Sequence, residues 1–391
     1  MVKLSKRIQR VEPSPTLAIT AKANAMKAEG IDVIGFSAGE PDFDTPEPIA
    51  RAAREAIASG KTRYTPASGL PDLRKAIAKD YARRQREVAA DQVVVTVGAK
   101  QALYNATQVL FDPGDKVVIP APHWVSYPAQ LHLAGATPVS LKTGIDSDFK
   151  LTPEALSARL DEGDIKGLIL CSPSNPTGAT YSAEELQGLA EVLEAHPEVK
   201  ILFDAIYDRL YYEGDIAADL VAQAPTLSER VMTFNGFSKT YAMTGWRLGY
   251  AIGPSEWISA MGTLQSQSTS NATTFVQYGG LAALAMDDAL LDERRAHFKR
   301  RRDLMVQGLN AIDGVDCLTP SGAFYVFPDF SSLIEDGRFE DDLALTETLL
   351  TEAHCAVVPG SAFGAPGGLR LSYALGDESI KKGLARIADA L

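Results

Sequence analysis

The chain has 391 residues, 46% of them hydrophobic and 23% charged, and its 38 basic against 50 acidic side chains give a formal charge of −12. This length calls for roughly two to three domains, and the acidic balance argues against a nucleic-acid partner, which needs a basic face, without excluding a small anionic ligand held by a few local cations. No apolar run approaches the roughly 20 residues that span a bilayer, and no apolar stretch follows the basic start Met1–Arg7, which argues against a signal peptide.

In chain order, a helix is predicted over about Thr16–Ala28, then an extended piece ending in Ser37-Ala38-Gly39-Glu40-Pro41-Asp42-Phe43-Asp44-Thr45-Pro46. Glycine and proline at that density predict an ordered loop. Helical periodicity covers 47–59 and 70–85. Short apolar strands follow at Val93–Val97, Lys116–Ile119, Pro138–Leu141, Gly167–Cys171, Val199–Phe203, Val231–Phe234 and Leu248–Ile252, with helical segments at 100–110, 126–134, 153–160 and 182–195. Continuous apolar strands alternating with helices predict an α/β fold, a three-layer, mostly parallel sheet with helices on both faces. After Pro254 the chain turns helical, with a long charged segment at 288–312. Strands are predicted near Ala323–Phe327, Ala356–Val358 and Leu369–Tyr373, and helices near 340–353 and 377–390. These form a smaller α+β domain. The expected division is a large ligand-binding domain over 47–290, and a discontinuous second one joining the arm 1–46 to 291–391.

The three cysteines, Cys171, Cys317 and Cys355, show no CxxC spacing and read as free thiols in a reducing cytoplasm. The five histidines (123, 132, 196, 297, 354) are scattered, and no metal is expected.

Ligands of open α/β sheets bind at the carboxyl ends of strands, and four clusters have that address. Val97-Gly98-Ala99-Lys100 opens a helix, whose free N–H groups can make a phosphate site, although a plain turn is the stronger reading of these residues taken alone. Ser172-Pro173-Ser174-Asn175-Pro176 fixes the backbone around Asn175, so its amide is aimed; a tight surface turn is the alternative. Asp204 ends the apolar run Ile201–Phe203 and needs a cationic partner, either a protonated ring nitrogen or a structural Arg or Lys. Lys239, with Arg247 eight residues on, suits an aldehyde: burial or a nearby cation lowers an amine's pKa, and an arginine can also hold the ligand's anionic tail. The segment is not a P-loop, because the required glycines are missing.

Together these words resemble the class I/II pyridoxal-phosphate aminotransferases of fold type I, over essentially the whole chain and most closely the bacterial aspartate aminotransferases. The segments that carry the resemblance are KRIQRVEPSPT, SAGEPDFDTP, YTPASGLPDLR, VTVGAKQALYN, HWVSYP, SPSNPTG, FDAIYD, FSKTYAMTGWRLGY, SGAFYVF, VVPGSAFG and LRLSYA. The resemblance implies that Lys239 carries pyridoxal 5′-phosphate covalently and moves the proton between the substrate Cα and the cofactor C4′. It implies that Asp204 pairs with the ring nitrogen, that Tyr207 and Asn175 bond the 3′ oxygen, and that Trp124 stacks on the ring. Gly98, Ala99, Lys100, Ser238 and Arg247 would hold the phosphate. Arg370, helped by Gly39, Asn175 and Trp124, would hold the substrate. Tyr64 would cross to a neighbour's phosphate, which implies a homodimer. The implied reaction is ping-pong transfer of an amino group between an L-amino acid, by similarity aspartate, and 2-oxoglutarate.

The chain departs from relatives at Ala205, where many carry Glu, at His123, where Tyr is common, and at Glu12. Some relatives that accept prephenate have a basic residue at this last position, and a carboxylate there disfavours a second substrate carboxylate. Aromatic or broad specificity, or a carbon–sulfur β-lyase of the same fold, remains compatible with these motifs. A ligand-sensing regulator fits less well, because the fold begins within the first 20 residues and the chain is acidic.

Overall fold

The computed structural model describes residues 4–13 and 15–391. The first three residues of the basic start, and Ser14 within KRIQRVEPSPT, lie outside the described residues. Twelve strands occur among those described. β1 (Ile34–Gly35) belongs to the arm. β2 (Val93–Thr96), β3 (Lys116–Ala121), β4 (Thr137–Lys142), β5 (Ile165–Cys171), β6 (Lys200–Asp204), β7 (Val231–Gly236) and β8 (Gly249–Ile252) form one seven-stranded sheet, ordered β2-β8-β7-β6-β5-β3-β4. β9 (Tyr325–Val326), β11 (Val358–Pro359) and β12 (Leu369–Ser372) make a small antiparallel sheet, while β10 (Cys355–Ala356) pairs in parallel with β1.

Alternation along each strand explains the layers. Val94, Ile169, Leu202 and Met232 point into a core under the helices Ala99–Leu110, Ser126–Ala134 and Ser255–Ser266. Leu168, Leu170, Ile201 and Phe203 point to the opposite face, against helices Pro153–Leu160 and Ala183–Glu194. Val93, Val95, Tyr250 and Ile252 meet Pro71–Tyr81 and Thr274–Ala285. Both faces are apolar, so the strands read as unbroken hydrophobic runs. A further core joins Ile34 and Phe36 of the arm to Phe298, Phe324, Tyr373 and Ile387, and includes Ile206 and Tyr207 from beyond the end of β6.

Every pairing in the large sheet is parallel except those of β8, which runs antiparallel to both β7 and β2. The carboxyl ends of the other six strands therefore share one edge, and β8 begins there. The segment expected as one strand at Ala356–Val358 is two, because β10 turns to the arm and β11, past Val357, turns to β12. The periodicity over 70–85 ends in a 3₁₀ turn, Ala82–Arg84, where the buried Arg84 turns back to the carboxylates of Asp80 and Asp208. The cysteines are free, with Cys317 and Cys355 buried. Among the described residues no helix is long and apolar enough to cross a membrane.

The approach of β8 to the start of helix Ala99–Leu110 tolerates no side chain. A Cβ on Gly249 would lie 2.2 Å from the Ala99 nitrogen and 2.5 Å from the Gly98 carbonyl carbon, both backbone atoms. Gly249→Ala should therefore destabilise the protein by about 2–4 kcal/mol, seen as a lower urea midpoint. An unchanged midpoint would contradict this packing.

Candidate active site

The shared edge gathers the chemical groups. β2 ends at Thr96, and Gly98 (φ +78°) turns the chain into helix Ala99–Leu110. The Ala99 and Lys100 N–H groups have no backbone acceptor among the described residues. Because β8 is reversed, Arg247 arrives at the same place. A Cβ on Gly98 would stand 2.5 Å from an Arg247 guanidinium nitrogen. That guanidinium bonds the Thr244 carbonyl at 2.9 Å and pairs with no carboxylate among the described residues. Helix N-terminus, glycine turn and unpaired arginine together form an anion cradle, with Ser238 at the start of the facing loop Phe237–Leu248.

Asp204, at the end of β6, is 3% exposed. Its carboxylate accepts hydrogen bonds from the Tyr127 hydroxyl (2.8 Å) and the Ile206 N–H (3.2 Å). Burial raises its pKa from 3.8 to about 6, against the pull of those two donors and of the Lys239 charge. The raised carboxyl stabilises the fold below pH 3.8 and loses that contribution as the pH climbs through about 6. No cation lies within ion-pair distance among the described residues, so the acid is suited to a cationic ligand atom.

Lys239 follows β7. Its ammonium donates to the Gly39 carbonyl and lies 5.9 Å and 5.8 Å from the ring centres of Tyr207 and Phe324. Its pKa falls from 10.5 to about 8, chiefly through burial. Glu40 opposes the fall, and Arg370, Arg247 and Lys100 add to it. Arg247, which the sequence singles out as the depressing cation, thus ranks behind burial and Arg370.

Arg370, on β12, is 2% exposed. Its guanidinium donates to Asn175 Oδ1 (3.1 Å) and the Ser37 carbonyl (2.8 Å), while Nε has no partner. It is therefore a core arginine rather than the edge residue its strand pattern would allow. Its Cζ sits 4.6 Å from the Tyr325 ring centre and 5.2 Å from that of Phe363. Trp124 packs edge-on against Tyr127, and the Lys100 ammonium lies 4.8 Å from the Trp124 ring centre.

Thus Lys239, Asp204, Tyr207, Asn175, Arg370, Gly39, Trp124, Gly98, Ala99, Lys100, Ser238 and Arg247 collect at one edge. Tyr64 does not: it is 90% exposed. Three side chains gain no role of their own from the sequence: the Tyr127 and Tyr325 hydroxyls, which lie inside resembling segments without a local mark, and the Lys100 ammonium, whose residue is named there only among those holding the phosphate. At the departures, Ala205 packs into the apolar cluster beneath helix Ala183–Glu194. His123 donates its backbone N–H to the Phe363 carbonyl, and burial lowers the pKa of its imidazole. Glu12 is exposed.

A family model described as aminotransferase class I and II matches residues 31–387. The chain belongs to this family. It is 48% identical to the aspartate/prephenate aminotransferase of Cereibacter sphaeroides, covering 99% of this chain and 98% of that one. It is 45% identical to the aspartate aminotransferase of Rhizobium meliloti, covering 99% and 95%. Among solved structures, that of an aspartate aminotransferase from Rhizobium meliloti superposes with a TM-score of 0.95 at 43% identity, covering 100% and 99%. The Thermus thermophilus aspartate aminotransferase with maleate gives 0.94 at 42%, covering 100% of both. The protein is an aminotransferase of fold type I and uses pyridoxal 5′-phosphate. The residues present fit that cofactor: a depressed lysine for the aldehyde, a buried acid without a cation for the ring nitrogen, and an anion cradle for the phosphate.

The lysine makes a pH prediction. Its folded-state pKa is lowered, so the nucleophilic neutral amine appears as the pH rises through about 8. Reductive attachment of pyridoxal phosphate to Lys239 in the cofactor-free protein, read by peptide mass, should quicken about tenfold per pH unit and then level off above that point. A rate still climbing at the ordinary lysine pKa would contradict the assignment.

Proposed function

We propose that this aminotransferase exchanges the amino group of aspartate with 2-oxoglutarate by a ping-pong cycle, as a cytoplasmic homodimer with shared sites. The observation that carries the reading is the convergence of Lys239, Asp204 and Arg370 on one strand-end edge. The names of the relatives supply aspartate, and maleate, a four-carbon dicarboxylate, accompanies one related structure. The Lys100 ammonium, over Trp124 and without an ion-pair partner among the described residues, is the cation here best placed for a distal carboxylate.

Bound pyridoxal phosphate supplies an electron sink for the charge left when the Cα proton departs. Asp204 would keep the ring nitrogen protonated. Tyr207 and Asn175 would hydrogen-bond the 3′ oxygen, and Trp124 would cover the ring face. Gly98, Ala99 and Lys100 offer N–H groups to the phosphate beside Ser238 and Arg247. Lys239, about half of it neutral near pH 8, would take the proton from Cα and return it at C4′. Arg370, steadied by Asn175 and the Ser37 carbonyl, grips the α-carboxylate alongside Gly39. Tyr64, exposed on this protomer, reaches a second copy's phosphate site. The arm and residues 291–391 act as the smaller domain, closing on the large one over 47–290.

The test is a donor screen with 2-oxoglutarate, reading glutamate. Aspartate should lead, and Lys100→Ala should raise KM for dicarboxylates selectively. Arg370→Ala should impair every donor alike, because each has an α-carboxylate. Lys239→Ala should lose at least the roughly 10²–10⁴-fold owed to a general base. Prephenate should be a poor acceptor while Glu12 is present. Aspartate turning over no faster than aromatic donors would overturn the substrate assignment.

Shared sites make a separate prediction. Lys239→Ala and Tyr64→Ala copies, each impaired alone, should regain activity when refolded together, because mixed dimers hold one intact site. No recovery would refute the crossing of Tyr64.

A further inference from the structure

The roles above leave one buried hydroxyl at the centre of the site without a task. Tyr325 lies on β9, paired with Ser372 of β12, and is fully buried. Its oxygen is 3.0 Å from that of Tyr207. Its ring face carries the Arg370 guanidinium, 4.6 Å from the ring centre. A Cβ on Gly39 would lie 3.5 Å from its hydroxyl. One side chain therefore touches the tyrosine set against the cofactor, the arginine set against the substrate and the Gly39 turn.

We propose that Tyr325 is a positioning residue: its hydroxyl donates to the Tyr207 oxygen, leaving the Tyr207 hydrogen for the cofactor's 3′ oxygen, while its ring face holds Arg370 ready for a carboxylate. The inference rests on the reading in which Tyr207 meets the 3′ oxygen and Arg370 the α-carboxylate. A phenol has a single hydrogen. If Tyr207 spent its own on Tyr325, none would remain for the cofactor.

The geometry favours one direction, because the Arg370 cation lies against the Tyr325 ring. Burial raises the pKa of both phenols. The Arg370 guanidinium over the Tyr325 ring pulls that phenol back down, whereas it ranks last among the influences on Tyr207. Tyr325 is thus the better donor and Tyr207 the better acceptor. A hydroxyl that accepts a hydrogen bond is polarised and donates a stronger one. The ring also provides the face on which Arg370 rests while Asn175 and Ser37 occupy its edge.

The experiment titrates the visible absorbance of the cofactor-loaded protein against pH in four forms: unaltered, Tyr325→Phe, Tyr207→Phe and the double variant. Phenylalanine keeps the face under Arg370 and removes only the donor. Tyr325→Phe should raise the midpoint of the spectral transition by about 0.5 pH unit, because the oxyanion side loses support. In the Tyr207→Phe background the same change should do nothing. KM for amino donors should stay within about twofold in Tyr325→Phe, and rise about tenfold for all donors in Tyr325→Leu, which loses the aromatic face.

If Tyr207→Phe moves the midpoint and Tyr325→Phe does not, the proposal for Tyr325 fails and the reading of Tyr207 stands. If neither moves it, that reading fails and the proposal falls with it. Equal shifts in both backgrounds would also overturn it, since the effect would not then run through Tyr207. A lower melting temperature with an unmoved midpoint would reduce Tyr325 to a structural residue, which likewise overturns the proposal.

Discussion

A carboxylate buried at the end of a central strand is the constraint around which the site is arranged. Asp204 has left water, and two hydrogen bonds, from Tyr127 and the Ile206 N–H, hold it without neutralising it. Its pKa rises to about 6 as a result. A lone buried charge of this kind is stabilised mainly by an opposite charge brought to it. The same burial lowers the pKa of Lys239 from the other direction. One poorly hydrated space thus makes an acid reluctant to ionise and an amine reluctant to protonate, and both conditions suit a pyridinium aldehyde.

The second support comes from the far part of the chain. Arg370 belongs to β12, while its partners are Asn175, beyond β5, and Ser37, in the arm. The Ser372 N–H also bonds the Phe36 carbonyl. The arginine is therefore fixed by segments from the start, middle and end of the sequence. Its unpartnered Nε and two flanking aromatic rings describe a cation held in place but not satisfied. Such a group offers a ligand carboxylate a bidentate partner at little reorganisation.

The layers were legible because burial on both faces turns strands into apolar runs, and the rule that ligands sit at strand ends directed attention to Gly98, Asn175, Asp204 and Lys239. What the sequence hid was mostly direction and partnership. Strand polarity leaves no mark on side-chain pattern, so the reversal of β8 could not be read from Leu248–Ile252. Whether Ala356–Val358 is one strand or two depends on where Ile34 and Leu369 fall in space. Tyr127 and Tyr325 sit in apolar surroundings, and nothing local distinguishes a phenol packed as core from one aimed at Asp204 or Tyr207. Arg370 inside a β pattern reads as an edge residue until its contacts are known. Tyr64 stands out only through resemblance, because its exposure is a property of the folded surface.

The reversal of β8 has one more implication. β7 and β8 are antiparallel neighbours joined by Phe237–Leu248, and that single connection carries both Lys239 and Arg247. On the proposed reading the reactive amine and the phosphate's arginine would thereby be inherited as one unit, with a separation no distant mutation readily alters. Variation in the arm, around Trp124 or along the small sheet can redraw the substrate's surroundings while the anchorage of the coenzyme stays put. A lineage could broaden or exchange its diet of amino acids without ever reinventing its chemistry.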